Sequence, residues 1–179
     1  RSITNDEILS YEDEKFPNQK FYNNAGKTER NGIEITGLYT LNRTIISSSY
    51  SLGDYVFKEF IENNFNYKGN KIPGIPNDIF TLSIEHKTKN ELFLNLNFKN
   101  IGTIYANNSN TIKIDKFNTF NFKIGKEFKL SRSIVYPYLI ISNVFDKKYF
   151  DNIRINAFGG RYYEPAPKRT IFGGIRITL

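Results

Sequence analysis

The chain has 179 residues, with 25 Lys+Arg against 18 Asp+Glu for a net charge of +7, one His, and no Cys, Met or Trp. The missing cysteines exclude disulfides, iron–sulfur clusters, thiolate zinc sites and cysteine nucleophiles, and the lone His86 excludes a histidine-rich metal site. Hydrophobic residues make up 39% and the mean hydropathy is −0.48, low for a domain built on an oily core, although aromatics reach 16%.

The basic residues are scattered among Asn, Asp and Glu with no block of like charge. They read as a solvated or lumen-facing surface, and no nucleic-acid partner is expected. No apolar run approaches the about 18 residues of a membrane helix. A membrane β-barrel stays open, because its strands alternate and keep hydropathy low. Starting at Arg1 with no Met anywhere, the sequence reads as a single segment, 1–179, of a longer or processed product.

Period-two alternation runs from end to end and predicts strands. A weak first strand is expected around Ile3 to Leu9. From Gly32 to Leu41, Ile33, Ile35 and Tyr39 oppose Glu34, Thr36 and Thr40, with Leu38 out of pattern; Ile46, Tyr50 and Leu52 then alternate with serines. The two are joined by a tight turn at Asn42 and read as a hairpin. Phe80, Leu82 and Ile84, then Leu92, Leu94, Leu96 and Phe98, form a second hairpin around Lys87 to Asn90. Phe120, Phe122 and Ile124 lead through Ser131 to Ser133 into an apolar strand from Val135 to Val144. The last strand, Thr170 to Leu179, sets Ile171, Ile175, Ile177 and Leu179 on one face and Arg176 on the other.

The fold class expected is all-β and antiparallel, with about eight strands. Short turns near Asn42, Lys89 and Arg132 alternate with long connections over Ser10–Arg30, Lys58–Asn77, Tyr105–Lys116 and Asp146–Lys168. A membrane barrel sorts its connections this way, with short periplasmic turns and long extracellular loops, and its polar face suits a hydrated lumen. The pattern favours that reading over a soluble all-β domain.

Several strings sharpen it. Asn24-Ala25-Gly26-Lys27 through Gly32-Ile33-Glu34, Gly69-Asn70-Lys71-Ile72-Pro73-Gly74, Ser142-Asn143-Val144-Phe145-Asp146-Lys147-Lys148-Tyr149, and Arg161-Tyr162-Tyr163-Glu164-Pro165 before a terminal amphipathic strand resemble segments of TonB-dependent outer-membrane receptors, in matching order. Leu179 departs from that family's usual terminal aromatic, and Lys168 from a glycine often found there.

The resemblance implies an antiparallel transmembrane β-barrel of about 22 strands around a plug, of which this chain is the C-terminal part, with the plug and TonB-box segment upstream of Arg1. It implies a receptor in the bacterial outer membrane, not an enzyme and without a cofactor, that imports a scarce nutrient such as an iron–siderophore or other metal chelate. Its partners would be outer-membrane lipid, TonB through the plug, and the barrel-assembly machinery through the strand carrying Ile171, Ile175, Ile177 and Leu179. A self-contained eight-stranded barrel with a binding or adhesion role and a soluble β-barrel carrier remain alternatives.

Arg161, Tyr162, Tyr163 and Arg154, with Arg169 nearby, are the candidate ligand contacts, since guanidinium offers a planar fork to carboxylates and Tyr a rigid amphipathic ring. Tyr55, Phe57, Tyr105, Phe128, Tyr136 and Tyr138 fall near strand ends, where a barrel carries aromatic girdles. Ala25-Gly26-Lys27-Thr28 lacks the upstream glycine of a phosphate loop and precedes a strand, so it reads as a turn. Glu12-Asp13-Glu14 with Glu59 and Glu62 has no regular cation-loop spacing, and His86 has no nucleophile elbow.

Overall fold

The structure is a computed structural model that describes the chain apart from residues 6, 7, 14, 17, 18 and 25. Glu14 and Ala25, singled out above, lie outside the described residues. One antiparallel sheet dominates, with strands β1 (Ser2–Asn5), β2 (Lys27–Leu41), β3 (Thr44–Glu59), β4 (Asp78–Lys87), β5 (Leu92–Ile101), β6 (Phe117–Lys126), β7 (Ile134–Ser142) and β8 (Thr170–Thr178) paired in chain order. Phe128–Lys129 continues the line of β6 along β7. The sheet is not closed on itself: β1 and β8 are its two edges.

The lengths fit a membrane wall. β4 to β8 have 9 or 10 residues each, the number a tilted strand needs to cross the hydrocarbon. β2 and β3 have 15 and 16, about 50 Å at 3.4 Å per residue, and project beyond the others. They stay paired across Gly32 and Gly53, which face each other in register. A Cβ on Gly53 would meet the Tyr55 ring at 2.2 Å, so the glycines that read as strand ends in the sequence make room for an aromatic ring lying across the strand. The expected loop over Ser10–Arg30 is likewise largely strand, because Ile8–Glu12 pairs with Lys20–Asn24 as a separate hairpin.

Register carries the two-faced pattern across the sheet. Tyr39, Ile46, Ile84, Leu96, Phe122, Ile141 and Ile171 lie opposite one another in one continuous row from β2 to β8. One residue along, Thr40, Ile45, Glu85, Asn95, Lys123, Ile140 and Phe172 form the neighbouring row on the other face. There Asn95 Nδ2 donates to Ser83 Oγ at 3.3 Å, and Asn97 bonds Asn95. Ile33, Ile35, Leu52, Ile171, Ile175 and Ile177 are exposed, so among the described residues no layer covers the apolar face, and only at its end does Phe145 pack on Phe120, with centroids 5.7 Å apart.

The buried apolar side chains lie instead at the end with the long connections. Phe57, Phe60 and Ile72 form one cluster, and Ile101, Ile104, Ala106 and Ile114 another. The second includes Ile79 and Phe117, which share a register row with Ile101 and continue the polar face upward. The long connections therefore fold over the polar side of the sheet.

Three aromatic assignments are corrected. Phe57 is fully buried rather than in a girdle, because it keeps the register of β3 on the polar side and packs there against Phe60 and Ile72 of the connection that follows. Tyr136 and Tyr138 stand on the polar face near the short turns. Arg176 is 5.0 Å from the Tyr136 ring centroid and Lys123 Nζ 5.2 Å from that of Tyr138, each a cation–π contact worth about 0.5–1 kcal/mol.

These rings occupy glycine space: a Cβ on Gly174 would sit 2.6 Å from the Tyr138 ring. Gly174→Val in the assembled protein should lower stability by about 1–3 kcal/mol through overpacking, read as a lower thermal midpoint. Adding Tyr138→Ala should recover part of that loss. Equal midpoints for the wild type and Gly174→Val would show that the ring is free to move.

Candidate functional site

The candidate site is the surface built by the three long connections at one end of the sheet. Its frame is a set of asparagines joining the connections after β3, β5 and β7. Asn108, 4% exposed, donates its backbone N–H to Asn156 Oδ1 at 2.9 Å and accepts from Asn156 Nδ2 at 3.0 Å. Its Nδ2 donates to Glu62 Oε2 at 3.2 Å, and its carbonyl accepts from Asn70 Nδ2 at 2.8 Å. Asn110 reads the backbone of Lys71 in the same reciprocal way, accepting from its N–H at 2.7 Å and donating to its carbonyl at 2.9 Å.

Asn63, Asn64, Asn110 and Asn156 all have positive φ, a conformation Asn tolerates better than most residues because its short side chain bonds locally. The same residue type thus sets the turns and supplies the bonds between loops. A polar cleft of about 240 Å³ opens beside this network, lined by Glu62, Tyr67, Asn107, Asn108, Asn156 and Tyr162 among others. Burial, with the charge of Glu62, raises the Tyr67 hydroxyl above its usual pKa, so it stays a neutral donor.

The arginines and tyrosines expected to meet a ligand share one hairpin but do different things. Phe150–Ile153 pairs with Tyr163–Pro165. Arg154 donates from Nε and Nη2 to the same Glu164 oxygen, both at 2.8 Å, and Asn152 Nδ2 donates to the other at 2.8 Å. Its charge is therefore already met within the hairpin. Tyr163 stacks on Phe150 with centroids 4.6 Å apart. Tyr162 packs on the cluster of Ile101, Ile104, Ala106 and Ile114. Arg161 is exposed, just past the turn Phe158–Gly160, whose Gly159 and Gly160 have φ of 69° and 75°. Arg169 is held at the start of β8, its N–H donating to Asp146 Oδ1 at 2.8 Å and Nη1 to the Val144 carbonyl at 3.3 Å.

The asparagine network was not foreseen, although the run Asn107-Asn108-Ser109-Asn110 is its visible trace in the sequence. His86 is far from this surface, bonded to Thr44 Oγ1 through Nδ1 at 2.8 Å beside the short turns. Among the described residues no group of three or more His, Cys, Asp or Glu is placed to hold a metal ion.

An antiparallel meander with one apolar and one polar face, and with its long connections gathered over the polar side, is a stretch of β-barrel wall. Residues 1–158 match the TonB dependent receptor-like β-barrel family, and the chain belongs to that family. Its members are outer-membrane transport receptors, not enzymes.

Solved structures agree in fold. The siderophore receptor PiuA from Acinetobacter baumannii is 20% identical with a TM-score of 0.71, over 88% of this chain and 23% of that one. The ferric preacinetobactin receptor BauA from the same species is 16% identical with a TM-score of 0.75, over 94% and 25%. The ferric yersiniabactin uptake receptor FyuA from Yersinia pestis is 21% identical with a TM-score of 0.67, over 88% and 24%. The chain thus spans about a quarter of the length of each of these receptors.

The Arg154–Glu164 pair has a pH signature. The hydrogen bonds from Asn152 and Arg154 hold the Glu164 carboxyl below its ordinary pKa of 4.5. A depressed pKa stabilises the hairpin above the ordinary value, and that contribution is lost as pH falls through the lowered one. The protection of the amides over residues 150–165, taken relative to their intrinsic exchange rate at each pH, should be high at neutral pH and fall on acidification below the ordinary value. In Glu164→Gln this acid step should vanish. An acid step that survives in the variant would show that another group controls the hairpin.

Proposed function

We propose that this chain forms the C-terminal stretch, about eight strands, of a larger outer-membrane barrel. In this reading the complete receptor binds a metal chelate such as an iron–siderophore complex outside the cell and imports it with energy delivered by TonB through a plug. The observation that carries it is the placement of the long connections over the polar face, the side that becomes the lumen when such a wall closes. Family membership and the fold shared with PiuA, BauA and FyuA, named as receptors for siderophore or ferric ligands, support the same reading.

The open edges of β1 and β8 favour a larger wall over a self-contained eight-stranded barrel, because unpaired backbone groups are costly in hydrocarbon. β8, with Ile171, Ile175 and Ile177 on its outer face and Leu179 beyond its end, is the strand that engages the barrel-assembly machinery in this account.

Among the four ligand candidates the reading now favours Arg161, the exposed guanidinium with no ion pair among the described residues. Tyr162 and Tyr163 shape the loop beneath it, and Arg154 is committed to Glu164. In the complete receptor, Arg161→Ala should weaken binding of a radio-iron-loaded siderophore about tenfold, the scale of one charge-assisted hydrogen bond. The amount of assembled barrel should stay unchanged, and TonB-dependent uptake of the same probe should fall in parallel. Full affinity in the variant would remove Arg161 from the site. A wild-type receptor that takes up no member of a broad panel of ferric chelates would remove the receptor reading itself.

A further inference from the structure

We propose that the cleft between the residues leading into β6 and the start of the β7–β8 connection is a phosphate-binding site. It has a volume of about 320 Å³ and is lined by Lys113, Lys116, Lys147 and Lys148, with the stacked rings of Phe150 and Tyr163 beside them. Asp115 is the one acid in its lining, and it lies 3.7 Å from Lys113 Nζ, well out in solvent. Lys116, Lys147 and Lys148 make no salt bridge among the described residues. The neighbouring Asp146 is already engaged by the Arg169 N–H. Four ammonium groups against one carboxylate leave the cleft with a net charge of +3.

The residue types select the ligand. Lysines present compact point charges that meet a tetrahedral phosphate from several directions, whereas a site for planar carboxylates favours the guanidinium fork. Tyr149 and Tyr163 add hydroxyl donors to the same lining. The position matters as well. The cleft sits where β6 begins at Phe117 and beyond where β7 ends at Ser142, the level at which the alternating apolar band stops.

On the barrel reading this level is the outer headgroup layer, where lipid phosphates concentrate and basic side chains are attracted to them. The proposal rests on that reading only for the height of the cleft. A soluble phosphate ester offers the same chemistry, and the experiment separates the two sources.

The complete receptor, purified in non-ionic detergent, is assayed with two probes: sodium pyrophosphate in solution, and phosphatidylcholine vesicles with or without diphosphorylated lipid A. The variant Lys116→Gln/Lys147→Gln/Lys148→Gln should lose about tenfold or more of the wild-type retention of the phosphate probe, and wild-type retention should fall as salt is raised. Lys89→Gln, in the short turn at the opposite end, should behave as wild type. Retention of lipid A without pyrophosphate binding identifies a lipid headgroup site, and saturable pyrophosphate binding identifies a site open to soluble esters.

Equal retention of both probes by the triple variant and the wild type would overturn the proposal. If the triple variant assembles poorly, Lys147→Gln/Lys148→Gln supplies the same comparison. Because the pyrophosphate arm needs neither a chelate nor TonB, its outcome is independent of whether the receptor transports iron.

Discussion

Backbone pairing between neighbouring strands is the constraint on which the rest of this structure depends. A sheet whose apolar face has no covering layer must satisfy its N–H and C=O groups strand to strand, and that fixes the register. Once the register is fixed, alternation along each strand becomes alternation between two surfaces. The row from Tyr39 to Ile171 is the visible result: seven strands place an aromatic or aliphatic residue at the same height on the same side. A single-residue slip in β4 would put Glu85 into that row, and one in β6 would put Lys123 there. The usual arrangement of a globular domain is reversed, with the apolar face outward and the buried clusters only under the loops.

The long connections follow from the same arrangement. Their carbonyls and amides are outside the ladder, so they need partners of another kind, and asparagine supplies both a donor and an acceptor on a short side chain. Asn108 and Asn156 pair backbone and side chain in both directions, and Asn110 does the same with Lys71. The loops thereby become a connected surface fixed to the sheet through the apolar patch at Ile79, Ile101 and Phe117. On this surface Arg154 and Arg161, seven residues apart in sequence, have separate fates: one is neutralised by Glu164, and the other has no ion pair among the described residues and stands exposed at a glycine-rich turn.

Much of the fold was legible because period two is a strong signal wherever one face is apolar and the other polar. The hairpins around Asn42 and Lys89 could be read from Ile46, Leu82, Leu94 and their neighbours, and Asn42 itself has the positive φ a two-residue turn requires. Strand ends were less legible. Gly32 and Gly53 look like breakers, and only the opposing strand reveals that they accommodate Tyr55. Tyr136 and Tyr138 could not be assigned a face from local pattern alone, because Lys123 and Arg176, which hold them on the polar side, come from two other strands. The site was the least legible part. An Arg-Tyr-Tyr string states its chemistry but not which side chains a partner such as Glu164, or a cluster such as that of Ile104, will take out of play.

The central claim is that the apolar face of this sheet meets lipid and the polar face a water-filled interior. Spin labels attached to cysteines at positions 175 and 176 of β8, and at 82 and 83 of β4, in the complete receptor in bilayers, test it most directly. The account predicts that labels at 175 and 82 are relaxed by membrane-dissolved oxygen and those at 176 and 83 by a water-soluble nickel chelate. Equal accessibility within each pair, or the reverse order, would contradict it.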